Sequence, residues 1–259
     1  MRNSLIVLLL LTSVFVNAQN TAIGSNEKLT FSASYNMSGL LTELAQVTME
    51  TSEVKTSTST LLKLKCTAAT YSKWESFFKI RDLYESYVST KTLTPYLYKR
   101  DIYEGGYEKF MQYKFKYKTN TIESIKRKKR GDGSTWEEKK NINLSSSTKD
   151  LVSTIYNIRN LDIHKAKPGD TQTFKVVFDN EIVLINVKYL SKEVITTNIG
   201  KKECYKLAIS INNSDILKGN NDNLLWLTAD ANKIPVYAKF KIPVGNGELK
   251  IKSASGLKN

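Results

Sequence analysis

Residues 109–118 read KFMQYKFKYK. Met111, Tyr113, Phe115 and Tyr117 fall on one side of this alternation, and Phe110, Gln112, Lys114, Lys116 and Lys118 on the other. Side chains of an extended chain point to opposite faces in turn. The stretch therefore predicts a half-buried strand with a largely aromatic face inward and a lysine-rich face to water. A helix would spread the same residues around its whole circumference and bury lysine with tyrosine.

The same period of two recurs on both sides. Upstream it runs through Leu29, Phe31, Ala33 and Tyr35, turns at Ser38-Gly39, and returns through Leu44, Gln46 and Thr48. Leu62, Leu64, Cys66 and Ala68 mark a third strand, then Tyr84, Ser86 and Val88. Tyr96, Tyr98 and Arg100 follow the Thr94-Pro95 break and run into the turn signal Glu104-Gly105-Gly106. Downstream, Phe174, Val176 and Phe178 meet Val183, Ile185 and Val187 across Asp179-Asn180-Glu181. Further strands surround Val194, residues 204–211, 225–227, 236–242 and 249–251. That makes roughly a dozen strands.

Two segments break the period. Ser72-Lys73-Trp74-Glu75 has the S-x-x-E spacing of a capping box and predicts a short helix start. Ser147-Thr148-Lys149-Asp150 is a second such start, with Asp150 at the third helical position. Leu151, Ile155 and Ile158 then follow at helical spacing, for an amphipathic helix of about three turns. Strands and helices never alternate as βαβ, which argues against a parallel nucleotide-binding sheet. The fold class expected is mainly β: a large, strongly curved antiparallel sheet or half-open barrel with about two short helices, one over the concave face. A closed barrel or a two-sheet sandwich is the alternative.

The N-terminus orders a basic residue, Arg2, an apolar run from Leu5 to Leu11 extended by Val14, Phe15 and Val16, and the small-residue end Val16-Asn17-Ala18. Residues 1–18 therefore read as a secretory signal peptide. The apolar run is shorter than the ~20 residues that span a bilayer. Gln19 stands where a lipoprotein would carry an acylated cysteine. The expectation is an exported protein, periplasmic or secreted, soluble after cleavage near Ala18 and with no transmembrane segment in the mature chain. Residues 19–27 read as a flexible leading segment and 28–259 as one β-rich domain.

The chain carries 39 Lys and Arg against 25 Asp and Glu, a formal charge of +14. Such a balance favours anionic lipid, acidic glycan or another envelope protein as partner. Export and the lack of a stacking motif beside the charge argue against nucleic acid. The densest basic run is Lys126, Arg127, Lys128, Lys129 and Arg130, followed by Gly131-Asp132-Gly133. It reads as a hairpin loop whose basic tip contacts a polyanion, or simply keeps the loop in solution. Cys66 and Cys204 are the two cysteines, and each sits in an alternating apolar stretch. An oxidising compartment permits one disulfide between them; two buried free thiols fit the pattern equally well.

His164 is the single histidine and lies in a Lys-rich turn, so neither a multi-histidine metal site nor a catalytic triad is indicated. No glycine-rich phosphate loop occurs, and neither a metal nor a cofactor is expected. Asp230 and Asn232 read as turn residues ahead of a strand. Paired carboxylates are the remaining catalytic option, as Asp82 with Glu85 or Asp101 with Glu104, which a glycan hydrolase would bring within about 5–9 Å.

Several of these stretches resemble one family. KIRDLYESY (79–87), TLTP (92–95), EGG (104–106), DLVSTIYNIRN (150–160), GKKEC (200–204) and LWLTADANKIP (225–235) are similar to segments of the exported domain-of-unknown-function 3108 family of Bacteroidetes-type bacteria. The resemblance implies a β-rich envelope protein similar to the half-open barrels of periplasmic lipoprotein carriers, and implies no activity. The resulting expectation is a non-enzymatic protein whose curved sheet encloses an apolar groove for an amphipathic ligand or partner segment. Candidate lining residues are Trp74, Phe77, Tyr84, Tyr98, Phe115, Ile155, Tyr156 and Trp226. The other two readings are a glycan-active hydrolase and a structural module held to anionic envelope surfaces by charge.

Overall fold

The structure, a computed structural model, describes residues 19–37, 40–211, 222–242 and 245–259. The signal-like residues 1–18 and the Ser38-Gly39 turn lie outside the described residues. The first eight strands are β1 (Lys28–Met37), β2 (Leu40–Lys55), β3 (Thr60–Thr70), β4 (Arg81–Ser89), β5 (Pro95–Glu104), β6 (Tyr107–Lys116), β7 (Thr121–Lys129) and β8 (Thr135–Asn143). A helix, α1 (Leu151–Ile158), separates them from β9 (Thr171–Phe178), β10 (Glu181–Thr197), β11 (Gly200–Ile211), β12 (Leu224–Thr228), β13 (Pro235–Ile242) and β14 (Gly245–Ser255).

All fourteen strands form one sheet in the order β8-β7-β6-β5-β4-β3-β2-β1-β14-β13-β12-β11-β10-β9. Each neighbouring pair is antiparallel. The outer strands β8 and β9 do not pair, so the sheet is a half-open barrel, neither a closed barrel nor a sandwich. Its curl follows from α1, which packs on β3 and β4 and also on β9 at the far edge. One short helix can touch strands so far apart in order only if the sheet wraps around it.

The alternation that predicts β6 holds: Met111, Tyr113 and Phe115 are buried and Lys114 and Lys116 exposed. The two edges are protected differently. Edge β8 carries Glu137, Glu138, Lys139 and Lys140. Edge β9 is covered by Lys149, whose N–H donates to the Lys175 carbonyl and whose carbonyl accepts from the Val177 N–H, both at 2.9 Å.

Both helix starts differ from expectation. Residues 72–74 form a single 3-10 turn led by Tyr71, without a side-chain cap. Glu75 does not reach back; it pairs with Lys79 and Arg81, since two cations outcompete a backbone N–H for a carboxylate. Asp150 is the N-cap of α1 rather than its third residue: its Oδ1 accepts from the Ser153 N–H at 2.8 Å, and Ser153 Oγ accepts from the Asp150 N–H at 3.1 Å. The helix has eight residues, about two turns. Its last turn tightens, the N–H groups of Arg159 and Asn160 donating to the Tyr156 and Asn157 carbonyls at 3.2 and 3.0 Å.

Part of the leading segment 19–27 packs against the domain. Ala22, Ile23 and Glu27 are buried. Glu27 receives Arg159 in a bidentate pair, Nη1–Oε1 2.5 Å and Nη2–Oε2 2.7 Å, with side chains 0% and 1% exposed. Arg159 Nε also donates to the Asn232 carbonyl at 3.1 Å, and Asn232 bonds Asn259. One guanidinium thus joins the leading segment, the end of α1, the turn before β13 and the C-terminus.

Candidate functional site

Register and the period of two place one row of side chains across six strands of the concave face. The row runs Leu225, Ala238, Leu249, Ala33, Ala45, Thr70. Three alanines in it leave the middle of the floor low. Above the floor α1 lays Leu151, Val152 and Ile155, which with Phe31, Val47, Met49, Cys66, Tyr84 and Tyr237 enclose a cavity of about 290 Å³. Along the same floor a second cavity of about 460 Å³ is bounded by Ala33, Ala45 and Thr70 below and by Tyr35, Leu44, Trp74, Phe77, Phe78 and Phe240 around it. The two are consecutive stretches of one apolar trough, meeting at the Leu249–Ala33 pair.

The eight predicted lining residues divide. Tyr84 and Ile155 line the inner cavity, Trp74 and Phe77 the outer. The other four belong to the packed core instead. Tyr98 stacks on Tyr113 at 5.4 Å, Phe115 stacks toward Tyr117, and Tyr156 is wholly buried. Trp226 packs on Tyr237 at 4.9 Å and donates its Nε1–H to Glu193 at 2.5 Å. A large aromatic in a strand fills space wherever the sheet curls tightest, so size alone does not identify a wall. The residues that make the trough, Ala33, Ala45 and Ala238, went unread; the available signal was alanine at strand positions where β-branched and aromatic side chains are favoured.

Neither proposed carboxylate pair converges. Asp82 and Glu85 are three residues apart on one strand and face opposite ways, as do Asp101 and Glu104. Glu85 lies on the outer face with Lys63 at 2.6 Å, and Asp101 is exposed. The structure instead brings Asp82 together with Glu104 on the inner face. Burial, reinforced by the Glu104 charge, pushes the Asp82 carboxyl up to about 7, so this pair holds a proton near neutrality. Beside it Arg100 and Lys109, both buried, converge on Asp179 at the tip of the β9–β10 hairpin, Lys109 at 2.5 Å. Burial raises Asp179, but the two cations outweigh it and hold its pKa below the ordinary value. Asn180 continues the contact, its Oδ1 accepting from Ser124 Oγ at 2.5 Å and its N–H donating to the Tyr113 hydroxyl at 3.1 Å. This tip clasps the half of the sheet that ends in β8.

The basic run does not form a hairpin tip. Lys126, Arg127, Lys128 and Lys129 lie within β7, and the turn begins at Arg130, with Gly133 supplying the positive φ of 83°. Alternation therefore divides the charges between the two faces. Arg127 pairs with Glu137 at 2.5 Å and Lys129 with Glu108 at 2.9 Å, while Lys126 sits over Trp136 and Lys128 over Tyr107. Cys66 and Cys204 are both free thiols, on β3 and β11. Burial pushes them up to about 12 and about 11 respectively, which keeps them protonated and unreactive.

His164 is exposed and bonds Asp162 at 2.7 Å, away from the trough. Among the described residues no group of three or more His, Cys, Asp and Glu is placed to hold a metal. Asp230 acts as the expected turn residue: its Oδ1 accepts from the N–H groups of Asn232 and Lys233 and from Thr228 Oγ1. Among the described residues no helix is long and apolar enough to cross a membrane.

An antiparallel half-barrel around one helix, with an apolar trough, defines a β-barrel-like protein. The chain belongs to the DUF3108 family of proteins of unknown function, whose sequence profile matches residues 30–252. Its fold is similar to that of a β-barrel-like DUF1849 protein from Brucella abortus, with a TM-score of 0.57 and 6% identity over 89% of this chain and 97% of that one. At TM-scores of 0.35 and 0.34, each with 10% identity over 90% of this chain and 96% of the other, it also matches two further structures. One is a protein designated exported, with a YmcC-like fold, from Bacteroides fragilis. The other is designated a lipoprotein, from Parabacteroides distasonis. None of the curated proteins matches the chain.

Proposed function

We propose that this is an exported, non-enzymatic envelope protein, soluble after cleavage near Ala18, that holds the apolar part of an amphipathic ligand in the trough. The carrying observation is the continuous apolar floor, lowered by Ala33, Ala45 and Ala238 and running from α1 to the Trp74–Phe78 loop. Of its cavities, that of about 460 Å³ falls within the range of small-molecule sites, roughly 300–1,000 Å³, and that of about 290 Å³ lies at its lower edge. Apolar cavities of only about 150 Å³ already stay dry and take up benzene. A floor built of alanines, where strands favour larger side chains, leaves room for an occupant, with the alkyl chain along the floor and the polar end toward the outer mouth.

Titration of the mature protein with an environment-sensitive fluorescent fatty acid tests this. Saturable 1:1 binding is expected, at least tenfold weaker in Ala45→Phe, which fills the floor with a side chain the outer cavity can accommodate. Native mass spectrometry after gentle extraction should show the bound species directly. Absence of saturable binding together with a ligand-free extracted protein overturns the proposal.

A further inference from the structure

The strand directions place the β1–β2 tip, the β3–β4 loop and the turns β5–β6, β7–β8, β9–β10 and β13–β14 at one end of the sheet. Eight large hydrophobic residues stand out as exposed among the described residues. Six of them, Leu40, Leu41, Phe77, Phe78, Tyr107 and Ile182, belong to this end; Tyr96 and Val194 belong to the other. Leu40 is 72% exposed and Phe77 67%. Leu40 and Leu41 are successive strand residues, so the start of β2 presents an apolar side chain to each face. Sheet neighbours do not shield it, because β3 stops pairing at Ala45 and β14 at Tyr35. The outer cavity of the trough, lined by Trp74, Phe77 and Phe78, lies at this same end.

The densest basic run of the chain lies beside these residues, among carboxylates that answer part of it. The β7–β8 hairpin brings Lys126, Arg127, Lys128, Lys129 and Arg130 to this end. Glu137 and Glu108 answer two of them closely, Glu138 lies 3.9 Å from Lys126, and Lys128 rests on the exposed ring of Tyr107. Protruding apolar side chains next to basic ones suit the boundary between headgroups and acyl chains of an anionic bilayer, where each apolar group leaves water and each cation meets phosphate.

We propose that the protein docks on an anionic lipid bilayer through this end, with Leu40, Leu41, Phe77 and Phe78 entering the interface and the basic side chains of β7 alongside. The proposal rests on the trough reading for its purpose, since it sets the outer mouth against the membrane from which an amphipathic ligand would pass.

Co-sedimentation of the mature protein with vesicles of phosphatidylcholine, with and without 30 mol% phosphatidylglycerol, tests it. Binding is expected to the anionic vesicles, at least fivefold weaker to neutral ones, and reduced by raising salt from 0.1 to 0.5 M. The double variant Leu40→Ser/Leu41→Ser should lose at least tenfold, and Tyr96→Ser/Val194→Ser at the opposite end should match wild type. Leu40 and Leu41 line neither cavity, so fatty-acid binding by the first variant reports on the trough separately and its thermal unfolding reports on folding. Equal vesicle binding by the two double variants, or no preference for anionic vesicles, overturns the docking proposal while leaving the trough reading to its own test.

Discussion

Replacing Glu27 by Gln removes one charge from the most enclosed ion pair among the described residues while keeping the side chain's size. The guanidinium of Arg159 then stays 1% exposed with no anion at its Nη atoms. Breaking a buried pair from one side costs about 3–5 kcal/mol. Two features bracket the value here. The pair is bidentate at 2.5 and 2.7 Å, which favours the upper figure, whereas Arg159 keeps the Asn232 carbonyl at 3.1 Å and the Ala22 carbonyl at 3.4 Å, which favours the lower. A loss of about 4 kcal/mol follows. For a chain of this size, with a urea m value of about 3 kcal/mol per molar, the midpoint should fall by about 1.3 M, and Tm by about 8–16 °C. In Glu27→Leu/Arg159→Met no charge is stranded, although the two carbonyls lose their donor at about 1–3 kcal/mol. The double variant should therefore be more stable than Glu27→Gln, with a coupling of at least about 2 kcal/mol in the cycle. A single-variant loss under about 1 kcal/mol, or strict additivity of the two changes, would refute the view that this pair holds the termini to α1.

Asp82 and Asp150 have folded pKa values raised by burial to about 7 and about 6. Their unfolded values are about 4, so the folded state holds the extra protons between about pH 4 and 7 and stability falls as pH rises through that window. Glu43, Glu50, Glu248 and Asp179 are shifted down and withdraw their contribution below about pH 4. Thermal unfolding should accordingly give a higher Tm at pH 5 than at pH 8, with Asp82→Asn flattening the slope; a Tm that rises toward pH 8 contradicts the assignment. At Gly256, φ is +64° and an added Cβ would lie 1.9 Å from the Asn26 carbonyl oxygen, so Gly256→Ala should cost more than about 1 kcal/mol in urea unfolding, and a neutral result would mean this crossing is not tight. Intact mass after maleimide treatment in denaturant should show two added labels without prior reduction, and native labelling of Cys66 should slow further when the trough is filled; a single mass consistent with a disulfide contradicts the free thiols.

What could be read from residues alone was what period and turn chemistry encode. The alternation 109–118 became the buried face of β6, and Leu151, Ile155 and Ile158 became a helix against the sheet. What could not be read depends on pairing between distant strands. Asp82 meets Glu104 because β4 and β5 pair with Asp82 opposite Ile102 and the next inward residue is Glu104; sequence separation offered Glu85 as the nearer partner. Glu27 and Arg159 are 132 residues apart, so nothing local announces them. The basic run 126–130 was displaced from tip to strand by a shift of four residues in where the hairpin turns, and that shift divided one patch into two faces. The resemblance segments acquire a physical meaning: Asp150, Arg159 and Asn232 are the cap, the guanidinium and the carbonyl that fix α1 inside the sheet.

The hairpin tip at Asp179 and Asn180 has a mechanical consequence. A closed barrel has its bore set by strand number and stagger, because every strand is locked to two neighbours by a hydrogen-bonded ladder. Here the circumference has a seam, spanned by the bonds of Asp179 and Asn180 to Arg100, Lys109, Ser124, Tyr113 and Glu138, by the two backbone bonds of Lys149 to β9, and by α1 between the two halves. Such bonds contribute about 1–3 kcal/mol each, against a ladder of many. The bore of this protein is therefore less firmly set than a closed barrel's: the sheet can spread at the seam by releasing these few contacts while every ladder between neighbouring strands stays paired, and its calibre is set by a buckle rather than by a weld.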